Sequence, residues 1–347
     1  MIKCGIIGCG VIAPTHVEGY RALPDVEIVH LSDLIPERME KLGEKYGIAR
    51  RSIDYHELLA DPEVELVSVC TDHASHAQIV IDALEAGKHV VCEKSPGRVP
   101  EDLKRMTEAA KRHPELVVSG IFQHRFQPAN RTLRRLIEEG KFGRVVGVNL
   151  VFNCLRTNEY YQKDAWRGTI AGEGGGILIN QAIHHLDQLR FLFGGIRRVS
   201  ALTANLTHGD VIEVEDTAAF TLEFRSGVFG TVFATNSAAE EWRSMLSVTG
   251  TELCLEYANE KPVHVEGLDA ERAREVEQAL SLEIKEQVVG KQYYGVGHTA
   301  QLADVVDAIR EHRAPEVTIA DACGSAALVM AVYESARTGN WAEVPEY

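Results

Sequence analysis

No cysteine pair in this chain has the Cys-x-x-Cys spacing of a zinc ribbon or a redox dithiol. The seven cysteines, Cys4, Cys9, Cys70, Cys92, Cys154, Cys254 and Cys323, are scattered, several of them in or beside apolar strand-like runs. Buried, reduced thiols in a reducing compartment are the expectation. Basic residues are also scarce: Lys and Arg total 36 against 51 Asp and Glu, a net charge of -15. Such a surface repels phosphate backbones and anionic headgroups, so neither a nucleic-acid nor a membrane partner is expected. No apolar run approaches the roughly 20 residues of a membrane helix. Met1 leads straight into Ile2-Lys3-Cys4-Gly5-Ile6-Ile7, with no leader before it, and a cytoplasmic protein is expected. Internal repeats and low-complexity linkers are lacking too. A chain of 347 residues has room for two cores.

Over residues 1–122, short apolar runs alternate with helical patterns. Strands are predicted at 2–7, 26–32, 65–70, 88–92 and 116–121, with a weak one near 51–53; helices at 13–22, 36–46, 74–86 and 100–113. This alternation predicts a doubly wound parallel sheet, an α/β Rossmann domain. Over 123–347 the pattern predicts an α+β domain, an open, mostly antiparallel sheet with helices on one face. Its helices are predicted at 129–140, 177–193, 296–312 and 318–337, and its strands at 144–153, 198–206, 216–224, 228–236, 244–249 and 251–257. The expected boundary is a direct strand exit near residue 122.

Gly8-Cys9-Gly10-Val11-Ile12-Ala13 follows the first strand and opens a helix, fitting G-x-G-x-x-A. Gly8 permits the tight turn, Gly10 lets backbone approach a pyrophosphate, and Ala13 allows close helix packing. The turn through Val11 and Ile12 brings the anion to the helix N-terminus. Asp33 ends the second strand, twenty residues after Ala13. A carboxylate there accepts hydrogen bonds from ribose hydroxyls and repels a 2′-phosphate, which predicts NAD rather than NADP. Arg38, one turn into the next helix, leaves some room for NADP.

Further motifs are Ala86-Gly87-Lys88-His89-Val90-Val91-Cys92-Glu93-Lys94, Arg125-Phe126-Gln127-Pro128, Trp166-Arg167, Gly174-Gly175-Gly176 with His184 and Asp187, and Val214-Glu215-Asp216-Thr217. With these, the chain resembles the Gfo/Idh/MocA (glucose–fructose oxidoreductase / inositol dehydrogenase) family over essentially its whole length. The resemblance implies that Lys94 points into the cleft at the reacting hydroxyl. A lysine at the C-terminal end of a parallel strand also lies where open α/β sheets bind ligands, and its ammonium stabilises alkoxide charge. Ser95 replaces the family's proline after that lysine. The resemblance further implies that Glu93 lies near the nicotinamide or ribose, that Thr71 and His76 line the cofactor, and that Gln181 sits near the cofactor amide. Asp72 and His73 depart from the family pattern there, and His73 is carried as a cofactor-lining candidate. His73 and His76 lie three apart, but no third ligand is near in the sequence, so no metal is expected.

On the helix predicted over 177–193, Asn180, His184 and Asp187 fall at i, i+4 and i+7, on one face. The family pattern has an aspartate where Asn180 stands. Asparagine hydrogen-bonds a hydroxyl but takes no proton, so His184 alone is the expected general base. Lys94 nearby would keep the imidazole neutral. Lys94 and Asn180 are expected to hold the oxygen. Asp187 is expected to orient the ring or to pair elsewhere on the helix, and His185 to be structural. Tyr160, Tyr161, Trp166 and Arg167 offer aromatic faces and a cation that suit a polyhydroxylated ring. Arg125 or Arg167 is expected to read any substrate carboxylate or phosphate. The leading reading is an NAD-dependent dehydrogenase or reductase of a secondary alcohol on a sugar or cyclitol. The alternatives are an NAD-using glycoside hydrolase that works by oxidation and elimination, and a non-catalytic NAD- or sugar-sensing regulator. The resemblance also implies a homodimer or homotetramer built through the C-terminal sheet.

Overall fold

The computed structural model describes residues 1–281 and 297–347, which divide into two compact units. The first unit begins as β1 (Ile2–Ile7), α1 (Ala13–Arg21), β2 (Val26–Ser32), α2 (Pro36–Tyr46), β3 (Arg50–Ser52), α3 (Tyr55–Ala60), β4 (Leu66–Val69), α4 (His73–Glu85), β5 (His89–Cys92), α5 (Pro100–Arg112) and β6 (Val118–Gly120). All six strands are parallel, in the order β3-β2-β1-β4-β5-β6. The order reverses at β1, so the loops after β1 and β4 flank the switch point where open α/β sheets take their ligands. Local chemistry sets the helix ends. Pro36 and Pro100 open α2 and α5, where a missing N–H costs nothing, and Gly47, with φ 74°, closes α2. Asp72 caps α4 by accepting from Ser75 N at 3.2 Å.

The second unit carries α6 (Pro128–Glu138), β7 (Val145–Leu155), α7 (Asn158–Gln162), a π-helical turn (Leu178–Ala182) running into α8 (Ile183–Phe193), β8 (Ile196–Ala204), β9 (Thr217–Phe224), β10 (Phe229–Thr235), β11 (Ser237–Gly250), β12 (Leu253–Ala258), β13 (Lys261–Gly267) and α9 (Ala270–Leu280). After α10 (Gly297–Glu311) come α11 (Ile319–Thr338) and β14 (Ala342–Glu343). The sheet runs β13-β12-β11-β7-β10-β9-β8-β14. Its pairs are antiparallel except β7 with β10. Alternate residues of β7, Val148, Leu150, Phe152 and Cys154, are buried, and those between face outward.

Three sequence expectations change here. Residues 297–323 belong to the first unit, not to a single C-terminal domain. The cause is apolar burial: Leu302, Val305, Val306 and Ala308 of α10 join one core cluster with Ile2, Cys4, Tyr20, Leu66 and Val91. Helix α11 is long and apolar enough by composition to cross a membrane, against the expectation of no such run, but 72% of its apolar window is buried inside the protein. Finally, the helix predicted at 177–193 starts as a π turn. Residue 296 of the helix predicted at 296–312 lies outside the described residues.

Candidate active site

The first unit gathers the dinucleotide motif. Gly8 has φ 93°, and a Cβ there would stand 2.6 Å from the Cys70 carbonyl group, so only glycine fits. A Cβ on Gly10 would meet none of the described residues within 4 Å. That open side is where a pyrophosphate would approach the backbone at the start of α1. Ala13 is fully buried, Val11 is exposed, and Ile12 stands at the N-cap of α1 without a side-chain cap. The Asp33 carboxylate accepts from Cys9 N at 2.6 Å and from Ile35 N at 2.7 Å. It therefore lies against the glycine turn, with Arg38 exposed on the first turn of α2. These residues fit a dinucleotide: a turn open to phosphate, and a carboxylate at the end of β2 for ribose hydroxyls.

Two cofactor candidates have different work. His76 is fully buried, with Nδ1 2.7 Å from the Ser95 carbonyl oxygen and Nε2 3.2 Å from that of Thr71. It ties the loop after β4 to the loop after β5. Burial lowers its pKa. Glu93 is buried, with Oε1 2.9 Å from His16 Nε2, while Oε2 accepts from Lys94 N at 3.1 Å. Burial alone would raise its pKa. The His16 hydrogen bond, and the charges of His16, His298 and Lys94, instead hold it at about 2. Glu93 thus braces α1 and its own loop. Lys94 is half-buried directly after it, and its peptide bond to Ser95 is cis. Thr71 is half-buried, and His73 is buried at the start of α4, its ring 5.9 Å from that of His76.

In the second unit, Tyr160, Trp166, Arg167, Asn180 and Gln181 come together as one network. The Tyr160 hydroxyl accepts from Asn180 Nδ2 at 3.4 Å, from Gln181 Nε2 at 3.3 Å and from the Arg167 guanidinium. Arg167 lies 4.5 Å over the Tyr160 ring and 4.7 Å over that of Trp166, and donates to Asp164 at 3.0 Å. The buried Gln181 Oε1 has no hydrogen-bond partner among the described residues. His184 is 9% exposed, its ring stacked on that of His124 with centroids 5.2 Å apart. The His124 carbonyl is held by Asn130 Nδ2 at 2.9 Å. His185 is buried against Phe152, and burial lowers its pKa to about 4.

Of the two expectations for Asp187, the structure shows the pairing one: Arg190, one turn on along the helix, lies 3.8 Å away. Asp187 is fully buried and accepts both Nε (2.8 Å) and Nη2 (2.7 Å) of Arg125, and the Ser325 hydroxyl at 2.6 Å. The pair engages two of the Arg125 nitrogens and both Asp187 oxygens. A buried charge must be matched, and a bidentate guanidinium matches it best.

Sequence reasoning missed two carboxylates. Glu215 accepts from Gly176 N at 2.9 Å, Leu178 N at 3.0 Å and the Tyr333 hydroxyl at 2.9 Å. It caps the turn that carries Asn180. A Cβ on Gly176 would lie 1.8 Å from the Glu215 carbonyl oxygen, and one on Gly175 2.1 Å from the Tyr333 hydroxyl, which is why glycines stand there. Glu173, 1% exposed, hydrogen-bonds Asn180 Nδ2. The only sequence signal for either was place: one inside a family motif, the other directly before the glycine run.

A glycine-turn Rossmann unit, followed by a second unit that carries a network of polar and aromatic side chains, is the arrangement of a two-part oxidoreductase. Residues 2–121 match the model described as "Oxidoreductase family, NAD-binding Rossmann fold", and 134–344 that described as "Oxidoreductase family, C-terminal alpha/beta domain". The chain belongs to the Gfo/Idh/MocA oxidoreductase family, and its first unit is an NAD-binding Rossmann domain. It is 30% identical to the 1,5-anhydro-D-fructose reductase of Ensifer adhaerens, over 99% of each chain. It is 28% identical to the myo-inositol 2-dehydrogenase of Thermotoga maritima, over 72% of this chain and 73% of that one. The WlbA dehydrogenase of Bordetella pertussis, solved with NADH and UDP-GlcNAcA, superposes with a TM-score of 0.89 at 27% identity, covering 100% of this chain and 98% of that one.

Burial raises the Glu215 pKa from 4.5 to about 7 against the opposing pull of its hydrogen-bond donors. The folded chain then holds a proton that the unfolded chain releases. Glu215 therefore takes stability away as pH rises from about 4.5 to about 7. E215Q should remove that slope, up to about 3 kcal/mol. Denaturant unfolding at pH 5 and pH 8 checks this, and equal slopes in the two proteins would refute it.

Proposed function

We propose that the chain moves a hydride between NAD and a secondary alcohol of a sugar or cyclitol. The observation that carries this reading is His184, held by its ring face on the same turn-and-helix segment as Asn180 and Gln181. NAD, when bound, supplies the hydride acceptor. Gly8, Gly10, Val11 and Ile12 hold its pyrophosphate and Asp33 its ribose, favouring NAD over NADP. Thr71 and His73 stand at the loop after β4, and Gln181 offers its carbonyl oxygen to a ligand donor. His184 takes the proton from the reacting hydroxyl, and Lys94 holds the oxygen as negative charge develops. Tyr160, Trp166 and Arg167 receive the ring. The free thiols fit a reducing, cytoplasmic setting.

The same reading extends to assembly. On the outward face of the second sheet, Leu202, Ala219, Phe233, Val151 and Met245 are consecutive cross-strand neighbours. Leu202 is 76% and Phe233 41% exposed. A second copy of the chain is proposed to cover this apolar row.

Absorbance at 340 nm with NAD and myo-inositol, or with NADH and 1,5-anhydro-D-fructose, and with NAD and UDP-GlcNAcA, tests the activity. Net change with one of them is expected. Glycoside cleavage without net NADH would put the hydrolase in its place, and binding with neither would put the sensor there. His184→Ala should lower turnover by about 10² to 10⁴ with NAD affinity retained; near-normal turnover would end the assignment. Asp33→Ala should raise the KM for NAD and shift preference toward NADP, and an unchanged ratio would sink that role. Sedimentation should give a dimer or tetramer that L202E/F233E breaks to monomers; a monomeric wild type counts against the interface.

A further inference from the structure

We propose that His16 is a positioning residue that sets the direction of Lys94 through Glu93, from the same helix that receives the dinucleotide. This rests on the hydride-transfer reading above, which gives Lys94 its work at the reacting oxygen. Helix α1 opens at Ala13, the last residue of the glycine fingerprint, and His16 stands within its first turn. His16 is fully buried, with Nδ1 3.1 Å from Ser68 Oγ and Nε2 2.9 Å from Glu93 Oε1. Ser68 and Tyr20 are fully buried too, and the Tyr20 hydroxyl lies 2.8 Å from Ser68 Oγ. Tyr20 stands one turn after His16 on α1, and His298 packs edge-on against the imidazole, with centroids 6.4 Å apart. The ring is held on its Nδ1 side by β4 and α1, and its Nε2 side is presented to Glu93.

The carboxylate decides which way that hydrogen bond runs. Burial alone would raise the Glu93 carboxyl, but the His16 hydrogen bond and the neighbouring charges outweigh it and hold the group at about 2. Glu93 is then ionised at neutral pH and only accepts, so His16 Nε2 carries a hydrogen whichever state Nδ1 takes. With Oε1 fixed by His16, Oε2 is held where it accepts the Lys94 N–H at 3.1 Å. The Glu93 side chain folds back onto its own chain, and the backbone that launches the Lys94 side chain is held at its first atom. Without the Nε2 donor, one oxygen of a buried carboxylate loses its hydrogen, and the group turns to another donor or takes a proton. Either change releases the Lys94 N–H. The lysine at the reacting oxygen is thereby registered to helix α1, whose N-terminus holds the pyrophosphate on the same reading.

The experiment compares wild type, H16N and H16Q. An asparagine amide nitrogen overlays the Nδ1 position of a histidine, and a glutamine one overlays Nε2. H16N therefore keeps a partner for Ser68 and loses Glu93, while H16Q keeps the donor to Glu93 and loses Ser68. With the compound turned over fastest in the 340 nm assay, H16N should lose about tenfold or more in kcat while its Kd for NAD stays within about threefold, and H16Q should recover most of the loss. The Lys94 amide hydrogen should exchange about tenfold or more faster in H16N than in wild type, and H16Q should restore its protection. A His16 that merely packs the core predicts equal losses of stability in the two variants, with kcat and Lys94 exchange unmoved, and that result overturns the proposal. An H16N defect that falls on NAD affinity instead of kcat overturns it as well. Should H16N fail to fold, E93Q tests the same link, because its single acceptor oxygen cannot serve both His16 Nε2 and Lys94 N. Faster Lys94 exchange in E93Q supports the proposal, and exchange at the wild-type rate overturns it. If wild type turns over none of the compounds, the hydride-transfer reading falls, yet Lys94 exchange across the three proteins still decides whether His16 holds the Lys94 backbone.

Discussion

The backbone of the triple glycine lies so close to the Glu215 strand end that no side chain can come between them. A Cβ on Gly176 would overlap the Glu215 carbonyl oxygen at 1.8 Å. That approach delivers Gly176 N and Leu178 N to the buried carboxylate and Ile177 N to the Glu215 backbone oxygen. The first amides of a helix have no partners within it. Here three of them are satisfied by one residue, and the turn that follows has a fixed origin. Asn180, Gln181 and His184 hang from that origin, so their positions depend on a contact that none of them makes. Burial of the carboxylate outweighs the gain from its donors, and that excess is why Glu215 is raised to about 7.

The same device recurs in both units. Asp33 receives Cys9 N and Ile35 N. Glu93 receives Lys94 N, and Asp216 receives Leu206 N and Thr207 N. In each case a carboxylate neutralises backbone donors in a loop that regular structure leaves unpaired, and the loop becomes a rigid mount. Two of these mounts, at Cys9 and Lys94, carry the residues that the sequence already marked for chemistry. An acidic composition is usually read as a solvated surface. Some of it is internal scaffolding, which composition cannot distinguish from surface charge.

That distinction explains what was legible in the sequence. The strand-turn-helix around Gly8, Gly10 and Ala13 was legible because each glycine answers a local steric demand. The alternation of β9 and β10 was legible because one face is buried. The β13 strand, interrupted by Pro262, and α9, whose apolar stripe is only Ala273, Val276 and Leu280, gave too weak a period to find. The π turn at Leu178–Ala182 was hidden because its sequence is equally apolar in either helical winding. The partner of Asp187 was hidden for another reason: Arg125 lies 62 residues away, and helical spacing reports neighbours only along one segment.

The histidines show how placement separates chemistry from scaffolding. His30 lies between Asp61 and Ser52, His76 between two carbonyls, and His208 between Asp216 and the Arg156 carbonyl. In these three the ring nitrogens do the positioning, and a proton moved from either would release the loop it holds. The His184 ring stacks face to face on that of His124. Stacking sets the plane of the ring and is indifferent to which nitrogen carries hydrogen, so proton traffic at the imidazole need not disturb the element that carries it. A base that must gain and lose a proton in every turnover is better mounted by its face than by its nitrogens. On the hydride-transfer reading proposed above, the stacked His184 is the histidine assigned to that exchange, while His76, its ring nitrogens between two carbonyls, is scaffolding.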